Sequence, residues 1–182
     1  MARLIMWNLM TLDGYVAGPA GDISWHMDVW GPELEALSIA QLREAGGLMF
    51  GRVTHDLMAG YWPKETGTVA DFMNALPKFA FSRTLKASRW RNTMLFNGDI
   101  AETVSRIKRD TAKDIYLFGS GDLAGSLSPH GLIDEFRVGI VPRLLGGGIP
   151  LFKANGAQQK LELTDTQALA SGGVIVRYRR AT

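Results

Sequence analysis

Short apolar runs separated by segments rich in glycine, proline and charge recur along the chain, and their lengths and periods predict its elements. Arg3 to Met10 is an apolar run holding Ile5 and Trp7 and predicts a first, central strand. Thr11 to Pro19, broken by Gly14, Gly18 and Pro19, predicts a loop. Gly31-Pro32 opens a helical pattern over Glu33 to Ala45 with Leu34, Leu37, Ile39 and Leu42 as its apolar positions. Pro32 suits the first turn, Glu33 and Glu35 suit the positive end, and Gly46-Gly47 are expected to stop the helix. Leu48 to Phe50 predicts a short strand leading into Gly51-Arg52-Val53-Thr54-His55, where a second helix is expected to begin. Ala59 to Val69 reads as irregular, and Ala70 to Leu76 predicts a brief helix. Lys78 to Phe81 and Met94 to Phe96 predict strands, and Ile100 to Asp110 a helix with Ile100, Val104 and Ile107 on one face.

The pattern then tightens. Ile115 to Phe118 is apolar throughout and predicts a strand buried on both faces at the sheet centre. Gly119 and Gly121 follow, free to turn sharply and to approach a ligand, and a helix is expected from about Asp122. Such a junction exposes unpaired N–H groups that suit phosphate. The spacing G-x-G-x-x-x-G is one residue off the dinucleotide fingerprint, so an ordinary strand-to-helix turn is the alternative. Glu135 to Val141 predicts a strand and Pro142 to Phe152 a loop. That loop carries Leu144, Leu145, Ile149, Leu151 and Phe152, too apolar for full solvation, so part of it is expected in the core or in a dimer contact. Gln159 to Ala168 and Val174 to Arg179 predict two antiparallel strands joined near Gly172-Gly173. Strands alternating with helices, then consecutive strands, predict an α/β fold with a mainly parallel sheet and an antiparallel C-terminal edge.

Composition narrows this little. At 182 residues, with 46% hydrophobic and 21% charged, the chain fits one globular domain spanning 1–182. No repeat, low-complexity tract or linker divides it. A net charge of +2 with scattered cations, apart from Arg89/Arg91 and Arg177/Arg179/Arg180, argues against nucleic acid as partner. No run reaches membrane-spanning length, and there is no signal-peptide pattern and no cysteine. A cytoplasmic location is the expectation. His26, His55 and His130 lack a metal-ligand spacing, so no metal is expected.

Ligands of open α/β sheets gather beyond the carboxyl ends of the strands. Four loops follow strands here: Thr11–Tyr15, Gly51–Thr54, Ser82–Leu85 and Gly119–Leu123. The second and third place Arg52, Thr54, Ser82, Arg83 and Thr84 where a phosphate could be forked by guanidinium and bonded by hydroxyls. Solvated surface charge is the alternative for each arginine taken singly. Neither Gly51–His55 nor Phe81–Leu85 contains an acid, which favours a nucleotide carrying a pyrophosphate plus a further ribose phosphate over one with bare ribose hydroxyls.

At this point the chain resembles a known family. Gly51-Arg52-Val53-Thr54 is similar to the G-R-x-T of dihydrofolate reductases, Phe81 to Leu85 to their adenosine-phosphate loop, and Gly119-Ser120-Gly121 to their glycine loop beneath the cofactor pyrophosphate. Thr11-Leu12-Asp13-Gly14-Tyr15 resembles the S-L-D-G-x of the riboflavin-pathway reductase domain. Gly131 to Glu135 and Pro142 to Phe152 resemble that family's g-L-[IV]-D-E and P-x-L-L-G-x-G-x-P-L-F. Six motifs lie in register over nearly the whole chain. The resemblance implies a dihydrofolate-reductase-like fold, NADPH as hydride donor and a homodimer. It also implies cofactor contacts at Leu9, Gly51, Arg52, Thr54, Ser82, Arg83, Thr84, Gly119, Ser120, Gly121, Asp122 and Leu123.

Two departures bear on the substrate. Trp7 stands where the riboflavin-pathway reductase usually has lysine, and Phe118 where it usually has an acid, so polar groups expected to face a ribose phosphate are gone. With no cysteine among these residues, the zinc deaminase domain attached in that family, with its cysteine ligands, is not expected here. Trp7, Tyr15, Trp25 and Phe118 are the candidate substrate contacts, with an aromatic stacking on a flat heteroaromatic compound. Dihydrofolate reductases hold the pterin with an acid on the first helix; Glu33 and Glu35 begin that helix here and Asp28 lies just before it, and helix-dipole complementarity is the other explanation for acids at this place. Asp13 is the second catalytic candidate beside Glu33, its alternative being a loop cap. The expectation is an NADPH-dependent reductase acting on a small planar substrate. Its rivals are 5-amino-6-(5-phosphoribosylamino)uracil reduction, true dihydrofolate reduction, and a nucleotide-binding module without turnover.

Overall fold

The computed structural model describes residues 1–119, 121–152 and 158–181. Its strands are β1 (Leu4–Thr11), β2 (Tyr15–Ala17), β3 (Ala45–Gly51), β4 (Lys78–Phe81), β5 (Thr93–Phe96), β6 (Asp114–Phe118), β7 (Glu135–Val141), β8 (Ile149–Pro150), β9 (Leu161–Ala168) and β10 (Val174–Arg180). The α-helices are α1 (Pro32–Glu44), α2 (Arg52–Tyr61), α3 (Thr68–Ala75), α4 (Ile100–Asp110) and α5 (Gly121–Leu127). Eight strands form one sheet in the order β5-β4-β3-β6-β1-β7-β10-β9, and β2 pairs with β8 apart from it. The strands from β5 to β7 run parallel, while β10 is antiparallel to both β7 and β9. The predicted α/β architecture, its central β1 and β6 and its antiparallel edge are all present.

Alternation along the strands divides the core into two layers. Leu4, Met6, Met49, Ile115 and Leu117 face α4 and α5, which contribute Val104, Ile107, Leu123 and Leu127. Ile5, Trp7, Leu48, Phe50 and Tyr116 face the layer of α1 and α3, with Leu34, Leu42, Val69 and Met73. At the amino end of the sheet, Arg3 pairs with Asp114 and Glu135, and Arg137 with Glu135. α1 starts at Pro32 with Glu33 and Glu35 in its first turn, as its sequence requires. Asp99 caps α4 by accepting the Glu102 N–H at 2.8 Å.

Four expectations need correction. Gly46-Gly47 do not stop α1; the helix ends at Glu44 and both glycines lie inside β3. Packing requires them there, because a Cβ on Gly46 would sit 2.7 Å from the Lys113 carbonyl oxygen and one on Gly47 2.5 Å from the Phe79 ring. Residues 59–69 are not irregular throughout: α2 continues to Tyr61, and a 3-10 turn follows at Trp62–Lys64. The segments Thr11–Pro19 and Pro142–Phe152 are not plain loops either, since each donates a short strand, β2 and β8, to a two-stranded ribbon. Those strands are too short to have a readable period.

Candidate functional site

The carboxyl ends of β3, β4 and β5 finish level: Gly51 pairs with Phe81, and Phe81 with Phe96. Their rings stack, Phe81 on Phe96 at 5.5 Å between centroids, and floor a cleft of about 240 Å³. Gly51, Arg52, Ser82, Arg83, Asp122 and Leu123 line it, together with the Asn97–Gly98 turn, Ile100 and Ser126. Three of the four strand-end loops singled out in the sequence therefore meet around one hollow. Asn97, Gly98, Ile100 and Ser126 were missed, although the strand-end rule applied to β5 would have found the first two.

Both arginines of this cleft are well exposed. Arg52 opens α2, whose positive end lies in the cleft wall, and its Nη1 stands 3.3 Å from Asp56 Oδ2. The acid absent from Gly51–His55 lies one residue further on. Ser82 Oγ accepts the N–H groups of Thr84 (3.2 Å) and Leu85 (2.8 Å), which curls the loop and carries Arg83 outward. Thr84 is exposed beside the cleft without lining it.

The glycine turn is fixed by protein on every described side. Gly119 has φ of +59°, and a Cβ there would sit 2.7 Å from Thr54 Oγ1 in the first turn of α2. The Gly119 N–H donates to Asn8 Oδ1 at 2.7 Å. Asn8 is a buried polar residue within the apolar β1 run, and that interruption was the one signal for it in the sequence. A Cβ on Gly121 would lie 2.7 Å from the Leu151 carbonyl oxygen. The close approach expected of Gly121 is thus to its own chain. Ser120 lies outside the described residues. Leu9 is half-buried over Gly139, whose Cβ position is 2.5 Å from Leu9 Cδ2, and it lines neither cleft.

A second cleft of about 530 Å³ opens at the end of β1, lined by Met10, Asp13, Gly14, Tyr15, Gly148, Pro150 and Phe152. Pro150 and Leu151 lie against Gly121, so this cleft and the first share the wall formed by the start of α5 and the 150–152 segment. Gly148 has φ of +141° and a Cβ position only 2.2 Å from the Ala17 carbonyl oxygen, which seats β8 on β2. Tyr15 is in place as a substrate candidate.

Both catalytic candidates are engaged in hydrogen bonds with their own chain. Asp13 Oδ1 accepts the Thr11 hydroxyl at 2.6 Å, and Oδ2 accepts the N–H groups of Leu145 (2.9 Å) and Gly146 (2.8 Å). The Thr11 hydroxyl, and then these backbone donors, hold its carboxyl below the usual carboxylate range. Asp13 is thereby a loop clasp at the rim of the second cleft. Glu33 accepts the Ala170 N–H at 2.6 Å, across the chain at the β9–β10 turn, and lines neither cleft.

Trp25 is a core residue, 2% exposed, packed edge-on to His26, and cannot stack on a ligand in this arrangement. Trp7 is buried in the same layer. Phe118 is half-buried and stacks on Phe50, with centroids 5.9 Å apart.

The chain matches the family of the RibD C-terminal domain over residues 2–175 and belongs to it. It is 31% identical over 182 residues to YyaP of Bacillus subtilis (strain 168), itself uncharacterized, covering 97% of this chain and 94% of that one. A Shewanella sp. PV-4 protein provisionally assigned to riboflavin biosynthesis has the same fold, with a TM-score of 0.85, 22% identity and full coverage of both chains. The fold extends to dihydrofolate reductase of Enterococcus faecalis, solved with NADP(H). The TM-score there is 0.65 and the identity 10%, over 99% of this chain and 97% of that one. The resemblance read from the motifs is thus correct as to family and fold.

Proposed function

We propose that the chain is an NADPH-dependent reductase of small, planar substrates. One observation carries it: the level ends of β3 and β4 bring Arg52 and Arg83, with Ser82, around a single cleft beside the start of α5. Two guanidinium groups and a hydroxyl are the donor set that a ribose phosphate requires, so these residues fit the adenosine end of NADPH. The pyrophosphate would then cross the wall formed by the start of α5, where Asp122 and Leu123 line the first cleft, and the cleft at Met10 and Tyr15 suits the nicotinamide. When bound, NADPH supplies a hydride; the chain's residues orient it and exclude water. Trp7 and Phe118, in place of lysine and an acid, favour a flat substrate without a ribose phosphate over the riboflavin-pathway intermediate.

A second reading, nucleotide binding without turnover, is favoured by the engagement of both Asp13 and Glu33 in structural hydrogen bonds. Loss of NADPH absorbance with a panel of pterins, pyrimidines and aldehydes separates the two. Oxidation with any of them supports the reductase, whereas tight NADPH binding with no oxidation supports the binding module.

We also propose that the chain forms a homodimer. Leu151 is core, but Leu144, Ile149 and Phe152 are exposed by 70%, 46% and 55%, and Leu163 and Val174 on the C-terminal strands are exposed as well. Apolar surface of this kind favours a second copy, and sedimentation giving a clean monomer at micromolar concentration would contradict it.

A further inference from the structure

Arg52 has a competing partner. Its ion pair with Asp56, one turn along α2, joins two half-exposed side chains and can open to the solvent. The other carboxylate oxygen of Asp56, Oδ1, is 3.1 Å from His55 Nδ1, and His55 Nε2 is 3.0 Å from Ser88 Oγ. His55 is buried against Trp90, and Ser88 Oγ accepts the Trp90 N–H at 3.1 Å. The order serine, histidine, aspartate has the look of a hydrolytic triad. Neither Ser88 nor His55 lines a cleft, however, and the serine oxygen is engaged by the Trp90 backbone. What the chain of contacts does is anchor Asp56 from behind, through a ring that cannot move without disturbing the core.

We propose that Asp56 is a specificity-determining residue of the first cleft. It is an anchored carboxylate that competes with the cofactor's ribose phosphate for Arg52 and so narrows the preference for NADPH over NADH. The inference rests on the cofactor reading given above. An exposed pair one helical turn apart is weak, so Arg52 can exchange the carboxylate for a phosphate. The exchange does not remove the charge: Asp56 stays tied to His55, within a Debye length of any dianion held by Arg52, and repels it. NADH lacks that phosphate and meets no such repulsion, and a carboxylate is a natural acceptor for bare ribose hydroxyls. Asp122, the acid that lines the cleft itself while Asp56 reaches it only through Arg52, is common to both complexes and to both proteins compared below, so it does not alter the comparison.

The test is a pair of dissociation constants, NADPH and NADH, measured by calorimetry on wild type and Asp56→Asn at low and high salt. The exchange keeps the size of the side chain at an exposed position, and melting temperatures of the two proteins check that the fold is unchanged. The expected result is an affinity ratio, NADPH over NADH, raised about threefold or more in the variant at low salt, with the gain shrinking as salt screens it. An unchanged ratio overturns the proposal, because the carboxylate then does not act on the phosphate. A lowered ratio also overturns it, since Asp56 would then serve to hold Arg52 in place for the cofactor. If neither protein binds either cofactor, the cofactor reading itself fails and the inference with it.

Discussion

Gly119 and Thr54 are in contact so close that a single added carbon on the glycine would lie 2.7 Å from the threonine hydroxyl. This contact sets the turn after the central strand β6 directly on the first turn of α2. Gly119 also holds φ of +59°, where a side chain is strained regardless of space. Gly119→Ala is therefore expected to lower stability by about 2 kcal/mol, and to weaken NADPH, since the turn can relieve the clash only by moving. Gly125→Ala in α5, where a Cβ meets nothing within 4 Å, is the control. It is expected to be neutral or stabilising by about 0.5–1 kcal/mol, the ordinary helix preference. Urea unfolding of both variants checks the pair.

Asp13 closes the rim of the second cleft by joining the Thr11 turn to Leu145 and Gly146. Its folded pKa lies below the unfolded value, so its contribution to stability is fully present above the unfolded pKa and is lost as pH falls through the folded one. Asp13→Asn is expected to flatten the acid limb of a stability–pH profile. It is also expected to speed amide exchange at Leu145 and Gly146. Loss of activity with exchange at these two amides unchanged would instead mark Asp13 as a catalytic residue.

His26 supplies a second pH dependence, of different origin. Burial pushes its imidazole pKa below the ordinary value, against the opposing pull of a backbone hydrogen bond to Val16 and the charge of Asp22. Between the two pKa values the unfolded chain binds the proton and the folded chain does not. Stability is therefore expected to fall as pH drops from about 6.5 toward the folded value. His26→Gln removes this slope. Thermal unfolding of both proteins at a series of pH values between about 7 and 5 reads the difference.

The parts of the fold that were legible in the sequence are those whose residues answer to their own neighbours. Lys78–Phe81, Ile100–Asp110 and Glu135–Val141 are apolar runs or amphipathic periods, and they were placed to the residue. Arg52 and Arg83 were legible as a pair because both follow strands, and the topology that makes those strands adjacent brings them to one cleft.

What was not legible depends on distant contacts. Gly46-Gly47 look like a helix stop, yet the atoms that demand glycine there belong to Lys113 and Phe79. Trp25 lies in a stretch with no readable period and is nonetheless core, because the α1 layer folds over it. Asp13 looked available for chemistry until Leu145 and Gly146, more than a hundred residues later, were seen to engage it. Asp56 lies one residue beyond Gly51–His55, and only helical spacing turns it back onto Arg52.

The central claim, that the first cleft reads the ribose phosphate of NADPH, is tested most directly by calorimetric titration of NADPH and NADH into wild type, Arg52→Ala and Arg83→Ala. Charge-assisted hydrogen bonds contribute about 1.5–3 kcal/mol each, so each substitution is expected to weaken NADPH by about tenfold or more. NADH should bind each variant nearly as it binds wild type. Equal losses for both cofactors, or no loss for either, would contradict the assignment of this cleft.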